Sequence, residues 1–259
     1  MMNRRFTGLT DTGVLRSVNQ DNYYIDPDGR FFIVADGMGG HAGGQEASAI
    51  AAQQIHAYLD AHWNADIPSH TLLEKAFLQA NQGILDDQNA HPERGDMGTT
   101  AVVVLFRGDQ PWRAHIGDSR LYRIRHNKLE QITEDHTWVA RALKMGDITR
   151  DQAKTHPWRH VLFQCLGRKD VNTIEIARLD VQPGDRLLLC SDGLTEEVSD
   201  EMIKTLFEEG ESCEAIAQNL VEAAKEAGGS DNITVIIVDE GGDTQLIDDP
   251  EGEETQLRS

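Results

Sequence analysis

Four apolar runs in this chain meet a short polar motif that carries an aspartate. FFIVAD ends at Asp36, AHIGD at Asp118 and LLLCSD at Asp192, and in reversed order Asp231 of SDN leads into ITVIIV. Gly37 and Gly193 directly follow two of these acids. Taken singly, Asp-Gly is a common turn pair. Four acids at the ends of core segments need another reason. If they converge they repel one another, and they stay ionised only with a cation between them. The first expectation is a multi-carboxylate metal site on the rim of a sheet.

The donor set narrows the ion. Asp36, Asp192 and Asp231, with Asp118 outside them, offer only oxygen, and no His/Cys cluster at zinc spacing accompanies them. All-oxygen ligation selects Mg²⁺ or Mn²⁺ over zinc. Several carboxylates in one site suit two adjacent metals, which can hold a bridging water as hydroxide and stabilise in-line displacement at phosphorus. Gly37 lets the backbone approach closely, and its carbonyl can add a ligand. A phosphate also needs a charge-matched anchor, and Arg16 in RSVNQD offers a bidentate guanidinium. Asp21 in the same motif either orients a metal-bound water or is a structural hydrogen-bond acceptor. Ser119 and Ser191 stand beside aspartates, but no GxSxG elbow surrounds either, so neither reads as a nucleophile.

The elements that must position these groups follow from periodicity. The four runs are short and rich in Val, Ile and Leu, as buried strands are. DPDG, residues 26–29, reads as a hairpin turn; the closing Glu of a calcium loop is missing. Alanine-rich helical periodicity predicts a helix over about 45–62 and a second over about 69–89. MGTTAVVVLF, PWRAHIG, SRLYRIR and KLEQIT read as successive antiparallel strands. Residues 134–167 break that pattern as two short helices interrupted at Gly146 and Pro157, an insert of the kind that forms a mobile flap beside a site. TIEIARLDVQPGDRLLLCSDG returns to strands, helices follow over about 199–208 and 212–227, and ITVIIV closes the core. The expected organisation is one domain over 1–240 and an acidic disordered tail over 241–259. Within the tail, Thr244 and Thr255 lie in the recurring DTQL and ETQL.

Composition excludes several classes. A net charge of -20 repels nucleic acid and anionic membrane surfaces, so a phosphorylated substrate requires a local cation. No run of apolar residues is long enough to span a bilayer, and the N-terminal MMNRRFTGLTD lacks a signal peptide's apolar region. Three widely spaced cysteines, Cys165, Cys190 and Cys213, fit a reducing cytoplasm rather than a disulfide framework.

RSVNQD, VADGMGGHAGG, MGTTAVVV, IGDSRLY, CSDGLTEEV and SDNITVIIV occur in the order and spacing of the metal-dependent protein phosphatases of the 2C type. The resemblance covers about residues 7–238 and is to the compact bacterial members. In the flap, DHTWVARAL followed by HPWRHVLFQCLG is similar to cyanobacterial phosphatases acting on the PII nitrogen-signalling protein.

The resemblance implies an α+β fold, a four-layer α/β/β/α sandwich with two central antiparallel sheets. It implies that Asp36 bridges two metals, that the Gly37 carbonyl ligates one and Asp192 and Asp231 the other, and that Asp118 with Asp192 holds a third. Arg16 would bind the phosphate of a phosphoserine or phosphothreonine, attacked directly by a metal-bound water. Animal members carry His directly after the DG pair, where this chain has Met38; His41, the usual bacterial histidine, is either the acid for the leaving oxygen or a loop-ordering group. Many bacterial members have Asn where this chain has His160. Implied partners are phosphorylated proteins, PII among them, acted on by a monomer. The competing classes are a pseudophosphatase that binds phosphoproteins without turnover and a hydrolase of small phosphorylated metabolites.

Overall fold

Alternation along the apolar runs sets the layers. The computed structural model describes residues 4–40, 42–108, 110–171 and 174–241. Its strands are β1 (Arg4–Asp11), β2 (Asp21–Ile25), β3 (Phe31–Gly39), β4 (Met97–Thr99), β5 (Ala101–Leu105), β6 (Trp112–Ile116), β7 (Arg120–Arg125), β8 (Lys128–Gln131), β9 (Glu175–Arg178), β10 (Arg186–Cys190) and β11 (Ile233–Glu240). Its helices are α1 (Gly43–Ala61), α2 (Ser69–Ala90), α3 (Trp138–Met145), α4 (Arg150–Thr155), α5 (Asp192–Thr195), α6 (Asp200–Glu209) and α7 (Cys213–Ala227). One sheet runs β1-β11-β10-β7-β8, the other β2-β3-β5-β6-β9, with β4 paired to the end of β3. All pairings between these strands are antiparallel.

Successive side chains of a strand point to opposite faces. In β3, Phe31, Ile33 and Ala35 pack with α1 and α2 residues such as Ile55 and Phe77, while Phe32 and Val34 face the other sheet. In β11, Val235 and Ile237 pack with α6 and α7, while Ile236 and Val238 face inward. Both central strands are therefore apolar on both faces, which is why they read as unbroken hydrophobic runs. Three apolar layers result: α1–α2 on one sheet, sheet on sheet, and α6–α7 on the other sheet. This is the expected α/β/β/α sandwich.

Local differences from the sequence reading have physical causes. β3 does not end at Asp36 but continues to Gly39, because β4 extends its ladder. MGTTAVVVLF is two strands, broken at Thr100, whose N–H donates to the Asp36 carbonyl. The flap helices are where the sequence put them. Thr137 caps α3 by accepting from Ala140 N–H, and Thr149 with Gln152 forms a capping box on α4. The base of the flap closes where Trp138 N–H donates to the Val161 carbonyl and Phe163 N–H to the His136 carbonyl. Of the expected tail, residues 242–259, with Thr244 and Thr255, lie outside the described residues.

Candidate active site

The layer between the sheets turns polar at one end, and that end is the site. Asp36 has the parity of Phe32 and Val34, so its side chain leaves β3 on the inter-sheet face. Asp21, the first residue of β2, is its register partner. Ser191 continues the inward parity of Leu187 and Leu189 from the opposite sheet. Its Oγ donates to Asp21 Oδ2 at 2.7 Å and accepts from Thr234 N–H at 3.0 Å. Asp21 is 7% exposed, and its Oδ1 has no hydrogen-bond partner among the described residues. Burial, then the charges of Asp192 and Asp231, push the Asp21 carboxyl up to about 7 against the hydrogen bonds from Ser191 and Thr234.

Backbone contact brings the other acids in. After β10 the chain turns through Ser191 into α5, which starts at Asp192. A Cβ on Gly193 would collide with the Asn232 carbonyl, so only glycine lets α5 press against the segment that carries Asp231. Gly37 is under the same constraint: a side chain there would strike the carbonyls of Gly44 and Gln20. Asp36 and Asp192 lie close enough for each to act on the other's carboxyl. Burial first, then the charges of Asp21, Asp192 and Asp118, raise the Asp36 carboxyl well above the usual carboxylate range. Asp118, in the β6–β7 turn, is raised well above it too, by burial and then Asp192. Asp192 is raised chiefly by burial. The turn is tied to β3 through Thr100, whose Oγ1 lies 2.6 Å from Ser119 Oγ and accepts from Asp36 N–H.

Arg16 closes the mouth. Its Nη2 donates to Asp231 Oδ2 at 2.7 Å and its Nε to the Ser230 carbonyl at 3.3 Å. The loop carrying it is held by Asn232, which donates to the carbonyls of Thr12 and Val18 and accepts from Gln20 N–H. Arg16, Asp36, Gly37, Asp118, Asp192 and Asp231 all line one cleft of about 510 Å³. Asp21 lies beneath it, and His41 falls outside the described residues. A second cleft of about 740 Å³ under the flap shares Asp118, Asp192 and Glu196 and is lined by Arg150, Lys154 and Arg159. Reasoning from sequence passed over Asn232 as a side chain in its own right, and with it Thr100. It set Ser191 aside as a nucleophile without finding its structural task. All three lie beside a motif aspartate or within a quoted motif, the one signal available.

The histidines divide. His115 and His136 stack at 4.7 Å in the base of the flap, and burial holds His115 down at about 4. His136 Nδ1 accepts from Gly117 N–H, and its own N–H donates back to the Gly117 carbonyl, so the flap and the Asp118 turn share two hydrogen bonds. His156 stacks on Trp138. These three pack against neighbouring rings. His160 is exposed but has a specific partner: its Nδ1 lies 2.5 Å from Glu196 Oε1. Partial burial and the charges of Asp192 and Asp231 push Glu196 up to about 7.

Clustered carboxylates raised by burial and by one another's charge, with a guanidinium at the rim, form a centre able to take divalent cations and an oxyanion together. The comparisons agree with that class. A profile of the protein phosphatase 2C family matches residues 15–232. PstP of Mycobacterium tuberculosis is 39% identical over 238 residues, 91% of this chain and 45% of that protein. PhpP of Streptococcus pneumoniae is 37% identical over 89% of this chain and 95% of its own length. Among solved structures, MsPP of Mycobacterium smegmatis, a PPM Ser-Thr phosphatase in complex with cacodylate, has a TM-score of 0.82 at 36% identity, covering 92% of this chain and 98% of that one. The catalytic domain of PstP with two manganese ions has a TM-score of 0.78 at 36% identity, covering 91% and 97%. The chain belongs to the protein phosphatase 2C family. It spans about half the length of PstP and nearly all of PhpP.

Proposed function

We propose that this chain is a Mg²⁺/Mn²⁺-dependent protein-serine/threonine phosphatase. The observation that carries the reading is the convergence of Asp36 from β3, Asp192 from the start of α5, Asp118 and Asp231 on one cleft. A divalent cation between such carboxylates offsets their mutual repulsion. The buried, unpartnered Asp21 Oδ1 and a lining that holds four aspartates and, among the described residues, no cysteine fit a hard ion. Asp36, the Gly37 carbonyl, Asp192 and Asp231 would hold a pair of ions, with Asp118 and Asp192 on a third. When bound, the ions activate the attacking water and screen the phosphate charge.

The remaining work belongs to side chains. Arg16 takes two phosphate oxygens in its fork and fixes the ester for in-line displacement. Asp21, held by Ser191, keeps the floor of the site polar and orients what sits above it. His41 is the candidate to protonate the leaving seryl or threonyl oxygen.

The same reading makes residues 1–240 the catalytic domain and residues 241–259 an acidic tail. The wording of the flap supports phosphorylated PII as the substrate. Three free, buried cysteines support a cytoplasmic monomer, and among the described residues no helix is long and apolar enough to cross a membrane. The test compares a phosphothreonine peptide, phospho-PII, free phosphoserine and a nucleotide, each with Mn²⁺ and with chelator. Turnover of the protein substrates that needs Mn²⁺ and disappears in Asp36→Asn is expected. Binding without turnover, or preference for the small molecules, would replace this reading with one of the competing classes.

A further inference from the structure

Asp192 of the all-oxygen set and two side chains outside it, Glu196 and His160, converge at the seam between flap and core. Asp192 and Glu196 are four residues apart, and Glu196 N–H donates to the Asp192 carbonyl at 2.8 Å, so both project to one side of the same turn. His160 reaches them from the flap. One donor atom from each of the three lies within 4.8 Å of the others. Metal-ligand bonds of about 2.0–2.2 Å hold ligand atoms at most about 4.4 Å apart. The widest pair therefore has to close by only a few tenths of an ångström around an ion, while His160 and Glu196 open by about half an ångström.

Its charge balance is unlike that of its neighbours. Asp26, Asp135 and Asp185 are each paired with an arginine, Arg30, Arg120 and Arg125. Among the described residues, no lysine or arginine lies within ion-pair distance of Asp192 or Glu196; their only basic neighbour at that range is His160. His160 Nδ1 and Glu196 Oε1 already face each other at 2.5 Å. A cation entering there would take the imidazole lone pair and the carboxylate together.

We infer that His160 is a flap-borne nitrogen ligand which, with Asp192 and Glu196, completes a divalent-cation position joining the flap to the core. This rests on the metal reading of Asp192. The imidazole shifts the position's preference away from Mg²⁺ toward Mn²⁺ and later first-row ions. It also makes occupancy close the flap, because one ligand travels with the flap and two stay on α5 and the residue after it.

Electron spin-echo spectroscopy of the full chain loaded with Mn²⁺ tests this, because an imidazole bound to Mn²⁺ gives a nitrogen modulation that carboxylates do not. The expected result is modulation in the wild type that is lost in His160→Asn. Calorimetric titration of that variant should show one Mn²⁺ site weakened by about tenfold or more, the scale on which even an outer partner of a ligand acts. Glu196→Gln should weaken the same site while circular dichroism stays unchanged. Modulation that persists in His160→Asn would belong to another histidine and would overturn the inference. Mn²⁺ binding with no modulation in the wild type would overturn it while leaving the metal reading intact. No Mn²⁺ binding at all would remove both.

Discussion

Asp21 and Asp36 are register partners on adjacent antiparallel strands, two acids side by side at the floor of one cleft. Neither has an arginine or lysine within ion-pair distance among the described residues. What keeps them compatible is protonation: burial pushes Asp21 up to about 7 and Asp36 well above the usual range.

The first prediction concerns pH. A carboxyl whose folded-state value is raised contributes stability that is full below its unfolded value and is lost as pH rises through the folded one. For Asp21 that window is about pH 4 to 7. His115, held down at about 4, acts in the opposite direction below its ordinary 6.5, so the wild-type curve alone mixes the two. Comparison with Asp21→Asn separates them. In chelator, the variant's stability advantage should grow from pH 4 to pH 8, reaching on the order of 4 kcal/mol. Urea midpoints measure it, and a gap that stays flat with pH would count against the burial argument.

Ser191 is a structural link, not a nucleophile. Ser191→Ala leaves the Thr234 N–H and Asp21 Oδ2 without the hydroxyl that joins them. Stability should fall by about 1–3 kcal/mol, as for other buried groups stripped of a partner. Turnover of an aryl phosphate should survive. Loss of activity by several orders of magnitude in a folded variant would restore the nucleophile reading.

Asn232 positions Arg16 at a distance. Asn232→Ala removes two donors and one acceptor that hold the loop of residues 12–20. If Arg16 binds phosphate, KM should rise about tenfold or more while kcat falls less. Equal loss in kcat and kcat/KM would place the defect in the chemical step instead.

His136 ties the flap to the Asp118 turn through Gly117. In His136→Ala the Gly117 N–H loses its acceptor, and limited proteolysis within 138–161 should accelerate relative to wild type. Mn²⁺ titration should show weaker binding at the position proposed for Asp118, with the tighter sites unchanged. An unaltered cleavage rate would separate the flap from this hydrogen-bond pair.

The runs FFIVAD, LLLCSD and ITVIIV announce their strands because both faces are buried, and the alanine-rich segment announces α1. The aspartates stood out for the same reason: they are polar exceptions in apolar surroundings. β1 was harder to see, since RRFTGLTD is an edge strand, mixed in polarity and only partly buried. The tasks of Ser191 and Asn232 were not legible at all. Each depends on a contact across more than 160 residues of chain, Ser191 with Asp21 and Asn232 with Gln20, and no local periodicity encodes which sheet lies over which. The flap's helices were visible through their breakers, Gly146 and Pro157, but the proximity of His160 to Glu196 was not.

The ion pair between Arg16 and Asp231 has a consequence for the sequence of arrivals at the site. While Asp231 holds the guanidinium, that fork is muted toward stray anions, of which a cell has many. On the proposed reading, a cation that draws on Asp231 would loosen this hold and free the arginine for an incoming oxyanion. Linkage would make the coupling mutual, so the anion would strengthen the cation's grip by the same factor. The cleft would then behave as a two-key lock, in which phosphate and metal each count for more once the other is present.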